Sequence, residues 1–210
     1  MAKMAISGKS GATCYWETRS EIMPEYVLET ERLILRPPFG FETLKKIIRE
    51  EIMNKIRDWL YVGKYSQTRQ RDLLDSTGIT AMLQLAEEIT YPDMESLFLY
   101  FEDGVVMPLE RIKAGIAFIR EQKAQGKVLL VACGAGISRS TIFAMAALME
   151  EENLELFEAY REIYRRYRGA RPHHELCISL SEYYGKPLDL LEAHDGLYQV
   201  RKEVDGEAQV

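Results

Sequence analysis

A chain of 210 residues with 47% apolar side chains holds enough material for one packed domain and an extension, and is too short for two full domains. Its net charge of −6, with 29% charged residues, argues for a soluble surface and against a general nucleic-acid binder. Cys14, Cys133 and Cys177 are spaced too widely and irregularly for a disulfide framework or a zinc pattern, and no apolar run reaches the length of a signal-peptide core or a membrane span, so a cytoplasmic, reducing home is expected.

Residues 1 to about 25 are small, polar and mixed, and read as a loosely ordered leader. "VLETERLILRPP" alternates like a strand and stops at Pro37 and Pro38. In "FETLKKIIREEIMNKIRDWL" the residues Leu44, Ile48, Ile52, Ile56 and Trp59 fall at helical spacing, which predicts an amphipathic helix or a helix feeding a strand. "WLYVG" is a short strand closed by Gly63. From here the pattern is α/β: a helix stopped at Gly78, a buried strand from Ile79 to Leu85, and a second strand in "SLFLYF" that ends at Glu102, Asp103 and Gly104. Pro108 suits the first turn of a helix striped by Leu109, Ile112, Ile116 and Ile119, and Gly126 ends it. "KVLLVA" is almost wholly apolar, as a parallel strand covered on both faces is. Three helices follow, over "STIFAMAALMEEE", "ELFEAYREIYRRYRG" and "HHELCISLSEYYG", and the last fifteen residues or so read as a frayed tail. "YRRYR" reads as a solvated face with snorkelling arginines, Cys177 as core, and the pair His173 and His174 as a helix start rather than a metal site.

The chemistry concentrates in "VACGAGISRST", residues 131–141, where a strand passes through a glycine-punctuated loop into a helix. At the carboxyl edge of a parallel sheet this is where ligands bind. Gly134 and Gly136 let backbone N–H groups turn inward, and the helix beginning near Arg139 adds its positive end. With the guanidinium, this describes a site for a tetrahedral oxyanion, phosphate above all. Cys133 in that field is expected to be a thiolate at neutral pH, a nucleophile aimed at a bound phosphorus. Arg139 would fork two phosphate oxygens, and Ser140 or Thr141 would donate a hydrogen bond to the sulfur. A leaving alkoxide or phenoxide needs a proton donor from another loop on the same edge. Asp103, one crossover helix before the strand of Cys133, is that candidate, with its neighbour Glu102 as the competitor.

These residues resemble the dual-specificity branch of the cysteine-dependent protein tyrosine phosphatases. The family signature, a cysteine, five residues, an arginine and a hydroxyl residue, stands here as Cys133 to Arg139 and Ser140. "WLYVGKYSQT", "TGITAMLQL", "LYFEDG", "IAFIREQKAQGKVLLVAC" and "LFEAYREIYRRYRGARP" fall in the family's order, so the resemblance covers roughly residues 56–186. It implies an α/β fold, a central mostly parallel sheet flanked by helices with the phosphate loop at its carboxyl edge, an N-terminal extension over 1–55 and a C-terminal tail over 187–210. It implies a protein phosphatase acting on phosphotyrosine, and on phosphoserine and phosphothreonine, through a phosphocysteine intermediate. Cys133 would be the nucleophile, Asp103 the general acid that later activates water, and Ser140 the aid to phosphocysteine breakdown. Arg139 and the backbone of Gly134, Ala135, Gly136, Ile137 and Ser138 would hold the phosphate. The partner is a phosphorylated protein, without nucleic acid, metal or other cofactor. The family's histidine before the cysteine is replaced by Ala132, which implies lower activity or activity displaced to higher pH. Two alternatives stay open: a phosphatase of a lipid, glycan or RNA-end phosphomonoester, and a weakly active or non-catalytic phosphate-binding module.

Overall fold

A computed structural model describes residues 53–208 and, before them, three short strands. The chain divides into two compact units, residues 1–52 and 53–210. In the first, β1 (Met4–Ser7), β2 (Thr13–Trp16) and β3 (Tyr26–Val27) pair antiparallel in that order, with Ala5 opposite Tyr15 and Cys14 opposite Tyr26. The stretch read as a loosely ordered leader therefore carries regular structure, at positions rich in the aromatic and β-branched residues that suit a pleated surface. The strand expected beyond Val27 and the helix expected up to Ile52 lie outside the described residues.

The second unit is built on a five-stranded sheet of β4 (Asn54–Arg57), β5 (Leu60–Lys64), β6 (Ala81–Gln84), β7 (Glu95–Phe98) and β8 (Leu129–Cys133), in the order β4-β5-β8-β6-β7. Four strands run parallel, and β4 is antiparallel at one edge. Of the two readings of this stretch, the helix running on through Ile56 and Trp59 is corrected here: residues 54–57 are a strand with a register shift between Lys55 and Arg57. Met53 and Ile56 reach two different apolar clusters, a pairing that overrides the helical spacing.

Seven helices alternate with or follow these strands among the described residues: α1 (Tyr65–Thr68), α2 (Arg71–Thr77), α3 (Leu109–Ala124), α4 (Arg139–Glu152), α5 (Leu156–Arg166), α6 (His174–Tyr183) and α7 (Leu190–Glu207). α2 stops at Gly78, whose φ of 73° only a glycine adopts without strain. In α3 the buried stripe is Ile112, Ile116 and Ile119, whereas Leu109 is exposed. β8 lies in the middle of the sheet with every residue buried. Its side chains alternate: Leu129, Val131 and Cys133 enter the larger core beside Ile142, Phe143 and Tyr160. Leu130 and Ala132 enter a smaller one with Met53, Leu74, Ile79 and Met82. α4 is buried continuously from Ser140 to Leu148, and α3 crosses it so closely at Gly115 that a Cβ there would lie 2.1 Å from the Phe143 ring.

The frayed tail is also corrected. Asp189 caps α7 by accepting from the Glu192 amide, and Glu192 reciprocates. Ala193, Leu197, Val200 and Val204 then form one buried stripe, and Gly196 lies flat against the Phe157 ring of α5. The arginines read as a solvated face are exposed and also reach this helix: Arg165 pairs with Glu207 at 2.9 Å and Arg168 with Asp205 at 3.4 Å, while Arg161, outside that run, pairs with Glu203 at 2.7 Å. Exposed ion pairs contribute about 0–1 kcal/mol each, while burying a leucine or valine contributes about 1.5–3 kcal/mol, so the stripe sets the docking and the charges set its register. Among the described residues no helix is long and apolar enough to cross a membrane.

Candidate active site

Parallel pairing sets Lys64 beside Cys133 and brings the carboxyl ends of β5, β6, β7 and β8 to one edge. Between Cys133 and Arg139 the chain turns back over that edge. Gly136 makes the turn with a φ of 73°, and a Cβ there would lie 2.8 Å from the carbonyl carbon of Gly63. The loop thus rests on bare backbone leaving β5, which no side chain at 136 would permit. Gly134 and Ala135 line the turn, Ile137 is 38% exposed, and Ser138 is buried. α4 starts directly after, so its first N–H groups, which have no intrahelical acceptor, and its positive end belong to the same small volume.

The Cys133 sulfur is buried, 3.2 Å from the Ser140 hydroxyl. Of the two hydroxyls the sequence left open, Ser140 is the one at the sulfur; Thr141 donates instead to the Ile137 carbonyl at 2.7 Å. The Tyr167 phenol is pushed up by burial first and then by its electrostatic interaction with Cys133, against a weaker opposite pull from Arg171.

Arg139 fastens the edge together. Its Nη1 donates to the carbonyls of Leu85 and Phe101, both at 2.8 Å, one just beyond β6 and the other in the loop that follows β7. Nη2 lies over the loop, 3.2 Å from where a Cβ on Gly134 would stand. Nε is buried and has no hydrogen-bond partner among the described residues. A guanidinium cannot shed its charge, and an unpaired buried donor costs about 1–3 kcal/mol, a penalty that an anion seated in the loop would remove.

Asp103 lies in the loop after β7, and its Oδ1 accepts from the Ser138 hydroxyl at 2.6 Å. Ser138 in turn accepts the His173 backbone N–H at 3.1 Å. Asp103, not Glu102, is therefore the acid tied to the loop. The carbonyls of Leu85 and Phe101 and the side chain of Ser138 were missed from sequence; only the second hydroxyl in "GISRS" hinted at the last.

Other residues around the site hold structure. Ala132 points to the opposite face from Cys133. Gln84 mimics a strand partner, exchanging two hydrogen bonds of 2.7 and 2.8 Å with the backbone of Ile89. The Arg171 N–H donates to the Ile137 carbonyl at 2.9 Å, and its guanidinium is spent on the carbonyls of Arg168 and Ala170 and the Tyr164 hydroxyl. His173 caps α6 as expected of a helix start, with the ring of His174 at 5.6 Å and that of His194 5.3 Å further on. Cys177 is fully buried in α6.

Residues 60–186 match the family described as "Dual specificity phosphatase, catalytic domain". The chain belongs to this family. Among its relatives, dual specificity protein phosphatase 22 of Xenopus tropicalis is 30% identical over 161 residues, covering 74% of this chain and 73% of that one. Dual specificity protein phosphatase 12 of Homo sapiens is 32% identical over 119 residues, covering 53% of this chain and 35% of the relative. The chain thus spans about a third of that relative's length. Among solved structures, DUSP15 covers 73% of this chain and 95% of its own with a TM-score of 0.58; at 23% identity this likeness speaks for the fold.

Proposed function

We propose that the protein is a cysteine-dependent protein phosphatase that hydrolyses phosphotyrosine and phosphoserine or phosphothreonine through a phosphocysteine intermediate. The observation that carries this reading is the buried, unpaired Nε of Arg139, held by two carbonyl bonds to Nη1 so that its remaining edge faces the loop between Cys133 and Ser140. A phosphoryl group there receives a forked pair of charge-assisted hydrogen bonds and the amides of residues 134–139.

In the first step the Cys133 thiolate attacks phosphorus, the S–P bond forms and the P–O bond to the leaving group breaks. Asp103 gives its carboxyl proton to the departing oxygen and is left as carboxylate. In the second step that carboxylate takes a proton from water as the water oxygen attacks phosphorus, and the S–P electron pair returns to sulfur. The Ser140 hydroxyl, 3.2 Å away, donates to the sulfur as that charge returns. Arg139 stabilises the equatorial oxygens in both steps. Glu102, Asp103, Val105 and Val106 are all exposed, which supports a shallow site open to short and long phosphorylated side chains. The binding-module reading rested on Ala132, and that side chain lies on the far face of the sheet from the sulfur. A thiol in this role belongs in a reducing compartment, consistent with a cytoplasmic location.

The test is phosphate release from phosphotyrosine and phosphoserine peptides in the presence of a chelator, with acid-quenched trapping of the phosphoenzyme. The expected result is turnover with both, and a phosphoenzyme absent from Cys133→Ser, whose turnover falls by at least about 10³-fold. Turnover that survives in Cys133→Ser, or none in the folded wild type, would overturn the reading.

A further inference from the structure

We infer that Ser138 is a positioning residue for proton transfer, orienting Asp103 so that one carboxyl oxygen is held and the other faces the leaving group; the inference rests on the phosphatase reading above. The argument is one of hydrogen-bond direction. A serine hydroxyl has one hydrogen to give and two lone pairs to receive. The His173 backbone N–H can only donate, and it donates to Ser138 Oγ at 3.1 Å. The single hydrogen of Ser138 goes to Asp103 Oδ1 at 2.6 Å, and no other acceptor for it is found among the described residues. Oδ1 is thereby an acceptor in every state of the carboxyl group. When Asp103 is protonated the hydrogen sits on Oδ2, the oxygen left free to meet substrate.

The surrounding chain shows why this contact decides the geometry. The loop of Asp103 is pinned on either side: the Phe101 carbonyl takes the Arg139 hydrogen bond, and the Met107 N–H donates to the buried Ser179 hydroxyl at 2.9 Å. Between these pins residues 102, 103, 105 and 106 are exposed, and Gly104 passes against the His173 ring with a φ of 79°. Inside that span, Ser138 supplies the one hydrogen bond found for the Asp103 side chain among the described residues. Ser138 belongs at the same time to the phosphate loop, so the acid is indexed to the bound phosphoryl group itself. A carboxyl released from this contact samples other rotamers, and a misplacement of about 1 Å costs on the order of 10²-fold in rate.

The experiment compares kcat/KM for two substrates: p-nitrophenyl phosphate, whose phenolate leaves without a proton, and phenyl phosphate, whose phenolate needs one. Ser138→Ala is expected to lose about 10-fold or more on phenyl phosphate beyond whatever it loses on p-nitrophenyl phosphate. Ser138→Thr, which keeps the donor, should restore the loss, and Ser138→Ala added to Asp103→Asn should cost nothing further. Ser138→Cys keeps the volume and weakens the donor; it carries the test if the alanine variant does not fold, with the same pattern in smaller measure. An equal loss on both substrates, or an additive loss in the double variant, would mean that Ser138 merely supports the phosphate loop and would overturn the inference alone. A folded wild type inactive on both substrates would overturn the phosphatase reading and this inference with it.

Discussion

Cys133 and Cys177 are both buried thiols in the same core, 2% and 0% exposed, yet the polar groups around them differ. Cys177 sits mid-helix in α6, where burial pushes its thiol up to about 12, against a weaker pull from Arg201. Cys133 ends a strand at a glycine turn, with a hydroxyl at 3.2 Å and the unpaired edge of a guanidinium beside the same loop. Burial by itself therefore says little about reactivity. Which polar groups remain unsatisfied around the sulfur decides it, and a sheet edge supplies such groups where a helix interior has spent them.

The largest effect expected from this contrast is in alkylation. At neutral pH iodoacetate should modify Cys133 at least about 10²-fold faster than Cys177, with inorganic phosphate protecting the first and leaving the second unchanged. Peptide mapping of the labelled protein reads this directly, and equal labelling of the native protein at both sites would break the comparison. Next in size is a stability effect confined to the inert thiol. Cys177→Ser should leave turnover per folded molecule unchanged while lowering unfolding stability by about 1–3 kcal/mol, the cost of a hydroxyl without solvent, measured by urea denaturation.

The smallest effect sharpens the contrast within α6, between its apolar middle and its polar start. Burial holds His174 below its ordinary value near 6.5, helped by His173, His194 and Arg201, with Glu175 opposing weakly. The unfolded chain therefore binds this proton first as pH falls. Stability due to a neutral His174 is complete above about pH 6.5 and is lost progressively below it, until the folded form also takes up the proton. His174→Gln should reduce the loss of urea midpoint between about pH 7.5 and about pH 5.5, and an unchanged loss would assign it to other groups.

Much of this was legible in the sequence, and the exceptions share a cause. The β8 strand, its glycine turn and the helix behind it each carry a local signal: an unbroken apolar run, two glycines, a hydroxyl beside an arginine. The placement of Asp103 near the loop after Cys133 was legible because parallel strands end on a common edge. Residues 54–57 were left between helix and strand because Ile56 continues the helical spacing of Ile48 and Ile52 yet also fits a strand facing the core, and only pairing with β5 decides between them. α7 was missed although its signs were present, with Asp189 and Glu192 as a reciprocal cap and Ala193, Leu197, Val200 and Val204 as a stripe. Gly196 and Gly206 masked it, since a glycine inside a helix is ordinarily unfavourable and the reason for Gly196, the flat face of Phe157, is tertiary. The Asp103 to Ser138 bond was invisible for the same kind of reason, being a contact between residues 35 apart in sequence.

The family match ends at residue 186, whereas the packed structure runs on to residue 207. A chain trimmed at that shared boundary would keep every residue of the candidate site and would uncover the face of α5 that Leu197, Val200 and Val204 now shelter. It would also leave Arg161, Arg165 and Arg168 without the acidic partners that α7 supplies. Such a fragment would carry a fresh sticky apolar strip beneath a band of uncancelled positive charge. Its solubility, rather than its chemistry, would be the first property to suffer.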